Sequence, residues 1–173
     1  MSERRELTML VHVDRLPAAG QPFRLRAGEA ERTALAKRFE LVGLDRLEAE
    51  GRVDPLREVD GVRVSGRLRA EVVQSCVVTF EPVPATIDAP FEVVFARQPD
   101  EVADDEIDVD PNIDDPEPLE SDELDVGEIV AQELSLALDP YPRSPSADRA
   151  MSDVEAKEDP AGPFAALGRL RVH

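Results

Sequence analysis

A chain of 173 residues is long enough for one domain with its own hydrophobic core. Aromatic residues make up only 4% and Trp is absent, so that core has to be built from Val, Leu, Ile and Ala. The net charge of −18 argues against a general nucleic-acid binder, no window approaches the roughly 20 apolar residues of a membrane span, and a single Cys excludes an internal disulfide.

The N-terminal segment MSERRELTMLVHVDRLP lacks the apolar run of a signal peptide, which makes the cytoplasm the expected compartment. Leu7, Met9, Val11 and Val13 alternate with Thr8, Leu10 and His12, a half-buried strand pattern. Pro17, Gly20 and Pro22 then read as a loop. A helix is predicted from Glu29 to Glu40, with Leu35 and Phe39 one turn apart on its apolar side. Leu47, Ala49, Gly51 and Val53 alternate with charged residues as a second strand. The strongest hairpin signal follows. Val62, Val64, Leu68, Ala70 and Val72 share one face, and Ile87, Ala89, Phe91, Val93 and Phe95 form the next alternating run. The intervening loop, around Cys76 to Pro84, makes the two runs antiparallel neighbours.

Beyond the hairpin the charge changes abruptly. Residues 1–97 hold 16 acids and 15 Lys or Arg, whereas residues 98–142 hold 17 acids and no Lys or Arg. Residues 143–173 hold five of each. The body is therefore near neutral and one tract is polyanionic. From Gln98 to about Glu123 the density of Asp, Glu and Pro, without apolar periodicity, predicts a flexible acidic loop. A helix is expected to begin near Asp125, where Asp125 and Glu128 have a variant of capping-box spacing. Val126, Val130, Leu134 and Leu138 follow at helical intervals, and Pro140 ends the run. Residues 144–173 are expected to be a mobile tail, with Phe164, Leu167 and Leu170 able to dock as a short apolar turn. The fold expected is thus a single α+β domain over residues 1–143, with an antiparallel, barrel-like sheet and two helices.

Catalytic constellations are absent from the sequence. His12 and His173 are the only histidines, Cys76 is the only cysteine, and no phosphate-binding glycine loop or nucleophile elbow occurs. Asp108 and Asp110 have the first spacing of a calcium loop, but Pro111, Asn112 and Ile113 follow without the turn glycine. No enzyme activity, cofactor, metal or small-molecule substrate is expected. Two charged features remain. Arg63, Arg67 and Arg69 stand on the polar face of the first hairpin strand and, at about 3.3 Å per residue, cover roughly 20 Å of it. They would suit phosphates along an RNA backbone, or else pair with Glu residues on neighbouring strands. The acidic tract offers Asp104, Asp105, Glu106, Asp108, Asp110, Asp114 and Asp115 to a basic partner, or else serves as a solvated linker.

Three stretches carry a family resemblance: QSCVVTFEPVPATIDAPFEVVFA at 74–96, DVGEIVAQELSLALDPYPR at 125–143 and PFAALGRL at 163–170. In this order, with the acidic gap after the first, they resemble the YceD family of bacteria and plastids over nearly the whole chain. The resemblance implies a non-enzymatic role in accumulation or maturation of the 23S ribosomal RNA of the large subunit. Binding would be to ribosomal RNA, to a basic large-subunit ribosomal protein, or to both. The competing reading is an acidic interaction module that mimics nucleic acid and has no ribosomal role. Many family members carry C-x-x-C in the hairpin loop, whereas here Cys76 is followed by Val77, Val78 and Thr79. A zinc site, which needs about four ligands, is therefore not carried over to this chain.

Overall fold

The computed structural model describes residues 6–57, 59–97, 116–149 and 151. In chain order the elements are β1 (Leu10–His12), β2 (Gln21–Arg26), α1 (Glu29–Arg38), β3 (Gly43–Pro55), β4 (Gly61–Ser75), β5 (Pro82–Ala96), β6 (Glu117–Pro118), β7 (Glu123–Asp125) and α2 (Val126–Ala137). One sheet has the order β2-β3-β4-β5-β6, and a small second sheet pairs β1 with β7. All pairings are antiparallel except β5 with β6.

The period-two pattern explains which face is buried. Leu47, Ala49 and Val53 of β3 and Val62, Val64, Leu68, Ala70 and Val72 of β4 point inward, and the residues between them point to solvent. The inner face is covered by Leu35 of α1 and by Val126, Val130 and Leu134 of α2, all fully buried. Helix α1 packs on β3, and α2 packs on β4 and β5. Arg38 ties the helices together, with two hydrogen bonds to Glu128 (2.9 and 2.6 Å) and one to Glu6 (3.2 Å).

Across the sheet, Phe23, Gly51, Gly66 and Phe91 stand in register on the inner face. The two glycines leave room for the two rings, whose centroids lie 6.5 Å apart. A Cβ on Gly66 would sit 2.7 Å from the Glu50 carbonyl and 2.9 Å from the Phe91 ring, so only glycine fits.

Several sequence expectations are corrected. The α+β class holds, but among the described residues the sheet is open and no barrel closes. Among the described residues the outer margin of β5 pairs at Phe95 and Ala96 alone, and Pro82, Pro84 and Pro90 recur on it at one parity. Proline has no N–H to offer a closing strand. The expected loop through Pro22 contains β2, since an edge strand tolerates proline. The first strand is shorter than its pattern and becomes a single 3-10 turn at Val13–Arg15. Both helices are found, α1 ending two residues early in a turn where Glu40 is left-handed (φ 54°). Residues 98–115 of the expected acidic loop lie outside the described residues. Its last part is ordered, with β6 beside β5 and Leu119 buried. At the start of the expected tail, Ser144 and Ala147 are buried. Phe164, Leu167 and Leu170 lie outside the described residues.

Candidate functional site

The solvent face of the sheet is a checkerboard of charge. Pairing places Arg26, Glu48, Arg69 and Asp88 in one row and Arg24, Glu50 and Arg67 in the next. Arg24 meets Glu50 at 3.2 Å, and Arg26 meets Glu48 at 3.2 Å. All three arginines expected to contact RNA lie on this face, and all three carry acidic neighbours. Arg63 is 3.3 Å from Glu92, Arg67 bonds Asp88, and Arg69 lies 3.5 Å from Glu50 and 3.7 Å from Asp88. The Arg67 guanidinium, helped by Arg69, holds the Asp88 carboxyl below its ordinary range. These side chains remain 46–49% exposed. Exposed pairs of this kind contribute only about 0–1 kcal/mol each, so a phosphate could displace the carboxylate at low cost.

Between β2, β3 and β4 the same face dips into a shallow pocket of about 270 Å3, lined by Arg24, Arg26, Glu48, Glu50, Arg67 and Arg69. Arg24 and Arg26 thus extend the strip found from sequence. They were missed because Pro22 masked β2, although the alternation of Phe23 and Leu25 with Arg24 and Arg26 carries the signal.

The far end of the hairpin is built differently. Cys76 is fully buried beneath the turn that joins β4 to β5. Its Sγ accepts hydrogen bonds from the N–H groups of Val78 and Thr79 (both 3.4 Å) and of Ser144 (3.3 Å). Burial pushes the thiol up, but the hydrogen bonds from Thr79 and Ser144 outweigh it and bring the thiol down to about 6. Thr79 stands where a second cysteine of C-x-x-C would be. Its hydroxyl bonds Glu81 (3.1 Å) and Ser144 (3.0 Å) instead. Among the described residues no cluster of His, Cys, Asp or Glu could hold a metal ion. His12 is half exposed, with Nδ1 3.8 Å from Glu123. Asp104, Asp105, Glu106, Asp108, Asp110, Asp114 and Asp115 lie outside the described residues, as does His173. No described helix is long and apolar enough to cross a membrane.

Residues 64–171, more than half of the chain, match the sequence model of the family described as large ribosomal RNA subunit accumulation protein YceD. No curated protein and no solved structure matches the chain.

Proposed function

This chain belongs to the YceD family, and from that premise we propose that it promotes large-subunit ribosomal RNA accumulation as a non-catalytic binding factor in the cytoplasm. The family match is the observation that carries this reading. The arginine face of the sheet takes the RNA backbone, and the acidic tract holds a basic large-subunit ribosomal protein. Arg24, Arg26, Arg46, Arg52, Arg63, Arg67 and Arg69 stand against Glu48, Glu50, Asp54, Glu71, Asp88 and Glu92. The seven arginines and six acids of these ion pairs nearly cancel, while the tract that follows is strongly negative. Arginine is suited to the first task because its planar fork bonds phosphate with two donors at once.

Two arms test the reading. Depletion of the protein lowers the ratio of 23S to 16S RNA in cells. An unchanged ratio refutes the ribosomal role. In vitro, changing Arg63, Arg67 and Arg69 together to Ala reduces the slope of log affinity against log salt for an RNA fragment. The reduction is about 0.7 per lost contact on a single strand. An unchanged slope assigns these arginines to intramolecular pairing alone.

A further inference from the structure

We propose that the tip of the β4–β5 hairpin is a docking knob for a basic protein segment bearing apolar side chains. This deepens the reading above by giving the partner protein a second point of attachment on the folded body.

Phe80 is 80% exposed, Tyr141 73% and Val77 47%, although the three belong to segments some 60 residues apart. The Val77 N–H donates to the Pro142 carbonyl at 2.9 Å, which brings the turn and the chain after α2 together. Phe80 has φ 60°, a left-handed conformation that a bulky residue rarely adopts. The turn enforces it. Phe80 N–H donates to the Cys76 carbonyl (3.0 Å), Cys76 N–H donates to the Glu81 carbonyl (2.8 Å), and the Cys76 sulfur takes the N–H groups inside the turn. Backbone strain of this kind persists where the surroundings over-determine it, and it gathers at binding sites. Burial does not explain it here, because the ring is in water. A rigid turn that presents a ring outward is preorganised to insert it into a partner.

Charge decides the partner's class. No Lys or Arg occurs from Ala70 to Ala96, nor from Asp125 to Pro142. Glu81 and Asp139 lie beside Phe80 and Tyr141 in sequence, and the cation nearest to them along the sequence, Arg143, is 3.5 Å from Asp148. A polyanion is repelled at this end, in contrast to the sheet face. A second copy would set Glu81 and Asp139 against their own counterparts. A basic segment with apolar side chains satisfies both the rings and the acids.

The test uses the 15N-labelled full chain, titrated with individually purified basic proteins of the large subunit. Parallel arms use an RNA fragment and increasing concentrations of the chain itself. Saturable, salt-weakened shifts of the Val77, Phe80 and Tyr141 amides with at least one basic protein are expected. Phe80→Gly removes the ring and suits the left-handed backbone, so the fold survives while affinity falls ~10-fold or more. Tyr141→Ser, remote from the turn's hydrogen bonds, gives a weaker loss in the same direction. Shifts with none of these proteins, shifts confined to the RNA or to self-association, or undiminished binding by Phe80→Gly overturn the proposal. None of those results alters the 23S to 16S ratio measured on depletion, so the wider reading stands or falls separately.

Discussion

Asp125→Ala removes one carboxylate and loosens three segments together. Asp125 is the last residue of β7 and the N-cap of α2, and it is almost fully buried. Its Oδ1 accepts from the N–H groups of Gly127 (3.0 Å) and Glu128 (3.4 Å), as an N-cap should. It also accepts from the Met9 N–H (2.8 Å), beside β1 and 116 positions away in sequence. Loss of the cap alone costs about 1 kcal/mol. Leaving the Met9 N–H without its acceptor in a partly buried position adds about 1–3 kcal/mol. The expected loss is therefore about 2–4 kcal/mol. With a urea slope of about 2 kcal/mol/M, the middle of the usual range for a domain of this size, the midpoint falls by roughly 1–2 M. Far-UV circular dichroism along a urea series measures it, with Asp125→Asn as the control that keeps one oxygen acceptor and loses less than half as much. A loss for Asp125→Ala of under about 1 kcal/mol refutes the reasoning, because water would then satisfy the Met9 amide as well as the carboxylate does.

Gly66→Ala forces a methyl group against the Glu50 carbonyl and the Phe91 ring, and lowers stability by about 1–3 kcal/mol in thermal melts. A neutral result would mean that the strands separate freely at that row. Leu134→Ala empties a fully buried position between α2 and the sheet, and costs about 2–5 kcal/mol by the same urea assay. The Cys76 thiol lies at about 6 in the folded chain, well below its ordinary value of 9.0. Its stabilising contribution is therefore complete above pH 9 and lost as pH falls through 6. The stability difference between the native chain and Cys76→Ala should grow from pH 6 to pH 9, and a difference flat across that window refutes the hydrogen-bonded thiolate.

The legible parts of this protein share one property: their signal is local. The inward residues of β3, β4 and β5 repeat every second position, so each strand and its buried face follow from the order of residues. Asp125 before the periodic run Val126, Val130, Leu134 marks the start of α2 in the same way. Arg63, Arg67 and Arg69 were placed on one face by that alternation, yet their acidic neighbours sit on other strands and depend on register. Strand β2 was hidden by Pro22 because the cost of a missing N–H depends on whether the strand lies at an edge.

Composition and periodicity by themselves determined the α+β class, the core residues of the long hairpin and the separation of a neutral body from an acidic tract. Only the tertiary structure decided that the sheet stays open among the described residues, that Arg24 and Arg26 join the arginine strip, and that the Val77 turn meets the chain at Pro142. The reason is physical. Local preferences act over a few residues, whereas sheet closure, ion pairing across strands and the Val77–Pro142 contact are set by groups far apart in sequence. Those groups meet only when burial of the common core fixes the register.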